Sequence, residues 1–400
     1  PLTVGDGLRF ATIQDAIVHA TDGDVIQIEG GVWSEHLDLL DRKVVLEPMP
    51  GTGEVVLEGD DTPRSLLMIN DGQGPETVIR NLTFRNGLGG NPDPTGALNT
   101  WSTSGGGINL WGTSPVIENC LFTECRAMYG PAINVQAPSS SLSNCRFENN
   151  ATDGTLLATY PVYTGGAILT HGYRDNSPDN GFENCDPAFT NCDFEGNSSL
   201  NSGGAVSIWY TSPTFTDCDF TANSTLFSGG AIIMSTYTID DPTTGPFSTP
   251  TVFTRCDFTD NEAPIADDNT GQWEGFGGAI CVYQNDTTPD LQNIELDLVD
   301  CDLTGNFAGT AGGAVQGASG VGDHDHAGGG VDPGVTEGLF EGPALAVGLH
   351  RGAGLARHHD HGALEVGEGC AHHVGVGGVE HHAGHSRGAT DDLGRQQRRK

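Results

Sequence analysis

Apolar residues in this chain recur at fixed offsets from two alternating markers, a glycine step and a cysteine step. The glycine step reads Gly105-Gly106-Gly107-Ile108, Gly130-Pro131-Ala132-Ile133 and Gly165-Gly166-Ala167-Ile168, and returns at Gly203, Gly229, Gly277 and Gly312. The cysteine step is centred on Cys120, Cys145, Cys192, Cys218, Cys256 and Cys301. Three residues before each cysteine stands Ile117, Leu142, Phe189, Phe215, Phe253 or Leu298, and two residues after it Phe122, Phe147, Phe194, Phe220, Phe258 or Leu303. Side chains alternate along a strand, so the cysteine and the following aromatic share one face. The apolar residue at minus three is out of phase, which demands a corner between, at pairs such as Glu118-Asn119 or Thr216-Asp217. Five residues after the cysteine comes Asn150, Asn197, Asn223, Asn261 or Asn306, interrupted only by Cys125. Asn tolerates the left-handed backbone of a sharp corner, so these residues are expected to adopt it. After each glycine step, residues such as Ile108, Val206 and Ile280 point inward, joined two residues on by Leu110, Ile208 and Val282.

Each repeat is therefore a coil of short strands separated by corners, and stacked coils bury a shared core. Coils whose like residues stack ~4.8 Å apart form a parallel β-helix. Leucine-rich repeats need a periodic Leu scaffold that is absent, and a propeller blade of ~40–50 residues does not fit into the shorter repeats. At the start, Phe10, Ile13, Ala16, Ile17 and Ala20 mark one face of a short helix with Thr12 as N-cap. Such a helix plugs the open end of a solenoid core.

The stretch Phe10-Ala11-Thr12-Ile13-Gln14-Asp15-Ala16-Ile17, followed by Gly23-Asp24-Val25-Ile26 and Gly31-Val32-Trp33-Ser34-Glu35, resembles the N-terminal cap of pectin-lyase-like right-handed β-helix proteins. The Gly-Gly-Ala-Ile and Phe-x-x-Asn pair resembles the repeat of polymorphic outer membrane proteins, a bacterial surface and adhesin class. These resemblances imply an all-β chain: a cap over 1–24, a single-stranded right-handed parallel β-helix over 25–316, and a tail over 317–400. They leave activity open, because this scaffold carries both enzymes and adhesins.

Charge narrows the partners. The chain has 53 acidic and 17 basic residues and a net charge of −36. That balance argues against nucleic acid or an anionic membrane as partner and suits an extracellular or cell-surface protein, expected here as a monomer. No transmembrane run or signal peptide is visible. Six of the ten cysteines occupy the core column, where a ~4.8 Å spacing does not match the ~3.8 Å between disulfide Cβ atoms. They read as small buried hydrophobes. Cys185 and Cys192 are the one local pair considered for a bridge.

After Gln316 the composition changes. Of 14 histidines, His19, His36 and His171 alone precede this point, and no Tyr, Trp, Met, Ile or Asn follows it. The tail residues can nearly all be encoded by codons beginning with G or C, as expected from a GC-rich gene read out of frame. A frameshifted or disordered end is the expectation. The functional alternative is a histidine-rich tract, as in His358-His359-Asp360-His361, binding zinc or nickel.

Candidate chemistry is sparse. An outward column of Trp111, Gln136, His171, Trp209, Ser235 and Tyr283 follows from the glycine step. Of these, Trp111, His171, Trp209 and Tyr283 are the candidate ligand-binding residues, since aromatic rings stack on sugars; the same rings could instead shield strand ends. For catalysis the candidates are His171, Arg174 and Asp175. Lyases of this fold class use a cation-neutralised uronate and a basic residue, whereas hydrolases need two opposed carboxylates. Neither the carboxylate and Gly-His-Gly set of polygalacturonases nor the Asp/Asp/Arg set of pectinesterases is visible. Asp267 and Asp268 are candidates for a calcium site but lack the alternation of a calcium loop. The expected function is a secreted or surface-displayed protein that binds a polysaccharide or cell-surface partner and requires no cofactor. The alternative is a polysaccharide lyase or glycoside hydrolase, with calcium in the lyase case.

Overall fold

The computed structural model describes residues 1–70, 72–90, 104–136, 139–152, 165–174, 182–183, 186–209, 211–236, 250–264, 275–284, 295–310 and 312–319, and the backbone of 346–350 and 373–374. Within one coil the chain passes through four strands. Val116–Glu118 lies in a first sheet, Leu121–Thr123 in a second, Arg126–Ala127 in a third and Ile133–Gln136 in a fourth. Each of these strands pairs in parallel with its counterparts one coil before and after, and among the described residues the four sheets hold 12, 9, 6 and 9 strands, the last strand of the first sheet joining antiparallel. The chain winds as a right-handed parallel β-helix, the hand favoured by right-twisted parallel strands.

The repeat columns stack as the spacing requires. Phe122 pairs with Phe84 and Phe147, Phe194 with Phe220, and Phe220 with Phe258. Their rings lie nearly parallel, with centroids 4.7 Å apart for Phe194–Phe220 and Phe220–Phe258. A second stack, Phe189–Phe215–Phe253, has centroids 4.6 Å apart and meets the first edge-on. All of these rings are fully buried. The cysteine column lies beside them: Cys120, Cys145, Cys192, Cys218 and Cys256 are buried free thiols. Each thiol donates to main-chain carbonyls, Cys218 for example to Phe189 and Thr216. Burial pushes the Cys120 thiol up to about 12, so it stays protonated. Cys192 is among these free thiols, so it forms no bridge; Cys185 lies outside the described residues.

The asparagine corners differ from expectation. Asn150, Asn197, Asn223 and Asn261 do not hold the positive φ; the preceding residue does, as Asn149 (φ 54°), Ala222 (φ 53°) and Asp260 (φ 54°). A left-handed residue also precedes each cysteine, at Asn119, Asn144, Asn191, Asp217, Arg255 and Asp300. The Asn side chain has a different task. Asn223 Nδ2 donates to the Phe194 carbonyl at 2.9 Å and to Asn261 Oδ1 at 3.0 Å, and Asn261 Oδ1 also accepts from the Asn223 backbone N–H. The same three bonds recur at Asn150, Asn197 and Asn261. A turn that points backbone groups into the core needs partners there, and an amide offers both donor and acceptor. Cys125 ends the ladder: its backbone N–H still donates to Asn150 Oδ1, and Glu124 before it keeps the left-handed corner (φ 56°).

At the N-terminus the helix Ile13–His19 buries Ile13, Ala16 and Ile17, and Thr12 Oγ1 accepts from the Asp15 N–H. The Glu35 carboxylate, from the next coil, accepts from the Ile13 and Gln14 N–H groups. Residues 1–24 are more than a plug, because Leu2–Val4 pairs with Ile26–Ile28 as the outermost strand of the first sheet. Val315–Ser319 continues the fourth sheet in register, and Ala346–His350 pairs in parallel with Glu295–Val299.

Replacing Phe220 by Ala is expected to cost about 3–5 kcal/mol through the cavity it opens. Asn223→Ala should cost at least about 2 kcal/mol, since it leaves the Asn197 N–H and the Asn197 side-chain amide without their acceptor. Urea unfolding of both variants reads these losses; a cost below 1 kcal/mol for Asn223→Ala would show the ladder to be dispensable.

Candidate functional site

The fourth sheet positions the candidate residues. In Ile108–Trp111, the core takes Ile108 and Leu110, so Asn109 and Trp111 face outward. The register then aligns Trp111 with Gln136, His171 with Trp209, Trp209 with Ser235, and Ser235 with Tyr283. The predicted column therefore exists as one line across the coils. A neighbouring line runs through Asn109, Asn134, Leu169, Ser207, Ile233, Cys281 and Gln316.

The expected exposure of this face is corrected. Asn134 and Ser207 are 0% exposed, Ser235 1% and Gln136 2%, while Asn109, Trp111, His171 and Trp209 are half-buried. Trp209 packs against a second apolar cluster outside the coil, formed by Met128, Tyr129 and Leu169. Its ring centroid lies 5.7 Å from that of His171. The signal for this cover was present in the sequence: Ile168-Leu169 and Ile232-Ile233 place apolar side chains on both faces of the strand, which is the composition of a strand buried on both sides.

Several buried polar atoms on this face have no hydrogen-bond partner: Asn134 Oδ1, Gln136 Nε2, Ser207 Oγ and Ser235 Oγ. Asn134 Nδ2, by contrast, donates to Asn109 Oδ1 at 2.9 Å. A buried unpaired donor or acceptor costs about 1–3 kcal/mol relative to a satisfied one. Burial holds the His171 ring at about 4, well below the usual histidine range, so it is neutral at physiological pH.

The catalytic candidates do not assemble among the described residues. Arg174 lies on a strand whose backbone pairs with Phe182, but its side chain, like that of Tyr283, is outside the described set. Asp175, Asp267 and Asp268 fall outside it entirely. Among the described residues no group of three or more His, Cys, Asp or Glu side chains is arranged to hold a metal ion. The other histidine of interest, His36, is fully engaged: Nε2 contacts Asp60 Oδ1 at 3.0 Å and Nδ1 the Ser65 carbonyl at 3.1 Å. That contact holds the Asp60 carboxyl well below the usual carboxylate range. Asp193, Asp219, Asp257 and Asp302 stack in register on the outside of the second sheet. Partial burial and neighbouring carboxylates raise Asp219 and Asp257. These groups stand side by side on one exposed face, whereas glycoside hydrolysis places its two carboxyls on either side of the bond.

A family model agrees with the fold: described as right handed beta helix region, it matches residues 63–240. Among solved structures, a carrot pectin methylesterase is 12% identical, covering 76% of this chain and 82% of its own, with a TM-score of 0.37. A pectin methylesterase from Aspergillus niger is 15% identical, covering 83% and 91%, with a TM-score of 0.33. A pectin methylesterase in complex with a hexasaccharide is 12% identical, covering 80% and 90%, also at 0.33. At these TM-scores the likenesses decide nothing about chemistry. A comparison with curated proteins gives no match.

Two outcomes follow from this geometry. The unfolded chain protonates His171 near 6.5 while the folded chain resists until about 4, so stability is full above pH 6.5 and is lost as pH falls toward 4. The difference in thermal midpoint between the wild type and His171→Gln should narrow over that interval; a constant difference contradicts burial of the ring. Trp209→Ala should lower stability by about 1–3 kcal/mol, as expected for a packed ring rather than a free one.

Proposed function

We propose that the protein is an extracellular or surface-displayed β-helix that binds a glycan on the outward face of its fourth sheet without turning it over. The observation that carries this reading is the in-register line of Trp111, Gln136, His171, Trp209 and Ser235. It combines half-buried rings with polar atoms whose hydrogen-bonding capacity is unused. Sugars present that same mixture, an apolar ring face edged by hydroxyls. A binding role is favoured over catalysis because His171 is the one titratable side chain that the described residues bring to this line, and no carboxylate stands opposite it there. The similarity of the repeats to those of polymorphic outer membrane proteins supports display at a surface.

Trp111 is a probe distinct from Trp209, since it is half-buried and lies outside the cluster that holds Trp209. Trp111→Ala should remove about 1–2 kcal/mol of affinity for immobilised polysaccharide. Incubation with pectins and alginates, with and without calcium, should release neither unsaturated nor new reducing ends. Product that disappears on replacing Arg174 or Asp175 would instead establish the lyase or hydrolase reading.

A further inference from the structure

We infer that Asn150, Asn197 and Asn223 are acceptors for N-linked glycan in the unfolded chain, and that glycan on any of them prevents folding. The protein therefore reaches its place of action by a route without a transferase that reads Asn-x-Ser/Thr. This inference is independent of what the fourth sheet binds. Three positions of the ladder read Asn150-Ala151-Thr152, Asn197-Ser198-Ser199 and Asn223-Ser224-Thr225. An asparagine followed at plus two by a hydroxyl residue, with no proline between, is the motif at which amides are glycosylated in secreted proteins. Asn261-Glu262-Ala263 and Asn306-Phe307-Ala308 hold the same ladder position without the hydroxyl, so the ladder itself does not need the motif. The hydroxyls serve the coil instead. Thr152 Oγ1 accepts from the Leu200 N–H at 2.8 Å, Ser199 Oγ accepts from the Asn201 N–H at 3.2 Å, and Thr225 Oγ1 donates to the Asn201 carbonyl at 2.6 Å. The motif is a by-product of the repeat.

Glycan transfer forms a bond between the amide nitrogen and C1 of the first sugar. It breaks the bond from that carbon to the diphosphate of a polyprenyl-linked oligosaccharide, and the amide proton goes to the released polyprenyl diphosphate. The modified amide keeps one hydrogen, whereas each ladder amide uses two. Asn150 Nδ2 donates to the Phe122 carbonyl at 3.0 Å and to Asn197 Oδ1 at 2.9 Å. Asn197 Nδ2 donates to the Phe147 carbonyl at 2.8 Å and to Asn223 Oδ1 at 3.0 Å. Asn223 Nδ2 does the same with Phe194 and Asn261. One acceptor would lose its partner at each site, in a core without water to replace it. Space is the harder limit: all three asparagines are 0% exposed, so a sugar ring has nowhere to go and can be attached only before the coil closes. Asn81-Leu82-Thr83 supplies the contrast. It carries the same motif, but Asn81 is exposed at the corner between the first and second sheets, with φ of 57°. A glycan there projects into solvent. Asn285-Asp286-Thr287 also carries the motif and lies outside the described residues.

The test is to send the full chain through a secretory pathway that contains an oligosaccharyltransferase, and to make it in parallel in a bacterial host without that enzyme. Soluble yield and glycopeptide masses are read in both. The bacterial product should be folded and unmodified. In the glycosylating pathway the chain should be retained with glycan on Asn150, Asn197 or Asn223, and its secreted yield should fall several-fold. The triple variant Thr152→Val, Ser199→Ala, Thr225→Val removes the motifs and keeps the ladder amides, so it should restore secretion. Asn81→Gln should not. Where the triple variant fails to fold in the bacterial host, an inhibitor of lipid-linked oligosaccharide synthesis applied to the wild type makes the same comparison. Secreted protein that unfolds cooperatively while carrying glycan on any of the three asparagines overturns the inference. Wild-type chain that passes the pathway with all three unoccupied, or is retained without glycan on them, overturns it equally.

Discussion

Everything in this molecule depends on one constraint: parallel strands of successive coils pair without slipping, so that each residue sits over its counterpart ~4.8 Å away. A slip of one residue would turn every core side chain outward. The aromatic stacks help to resist it, since Phe189, Phe215 and Phe253 pack against the neighbouring Phe194, Phe220 and Phe258 edge-on as well as along their own column. The asparagine ladder resists it more specifically. Each amide bonds to the carbonyl of one coil and the side chain of the next, with distances of 2.8–3.0 Å throughout. Moving one coil by one position would break these bonds together, inside a core where no water replaces them.

The same stacking amplifies whatever is placed on the outside. A single exposed aspartate costs little, but one per coil at the same position makes a line of like charges at the spacing of the coils, as at Asp193, Asp219, Asp257 and Asp302. Burial and the neighbouring charges raise Asp219 and Asp257. Such a column is tolerated because it is solvated and because Arg146 stands at its end, 3.7 Å from Asp193. On the fourth sheet the outward positions are half-buried or buried, so a stacked charge would be less well solvated, and from Asn109 onward they hold amides, hydroxyls, rings and aliphatic groups instead.

The coil itself was legible in the sequence because its parts obey local rules. Phe-after-Cys at spacing two defines a strand face, and out-of-phase Ile117 or Phe215 defines a corner, which Asn119 and Asp217 occupy with φ of 52° and 55°. The role of the conserved-offset asparagines was misread because propensity speaks for a residue's own backbone. Asn150 is instead selected by backbone groups of two neighbouring coils, a long-range demand that spacing alone does not reveal. The alignment of Trp111, His171 and Trp209 was also legible, since it follows from register alone. Their burial was not read, because alternation gives direction and says nothing of what lies beyond. The doubly apolar pairs Leu169 and Ile233 carried that information.

The placement of the candidate site follows from which junction can accept insertions. The turn from first to second sheet is fixed by a left-handed residue followed by a buried cysteine, and the turn from second to third by a left-handed residue followed by the ladder asparagine. At the glycine step, the backbone of adjacent coils approaches too closely for a side chain: a Cβ on Gly204 would lie 2.0 Å from the Gly230 carbonyl oxygen, and one on Gly230 the same distance from that of Gly278. Neither of the first two turns can lengthen without losing a column that neighbouring coils require, and the glycine step itself keeps its place from coil to coil. The connection from fourth to first sheet carries no such column, and there the spacing does vary: Trp111 is followed by Val116 in one coil, and His171 by Ala188 in another. The connection from third to fourth sheet varies as well: Ala127 is followed by Ile133, Thr152 by Ile168 and Ala263 by Ile280, so length variation falls at the two ends of the fourth-sheet strands. Change in ligand can accumulate there while the hydrogen-bonded register of the wall stays the same.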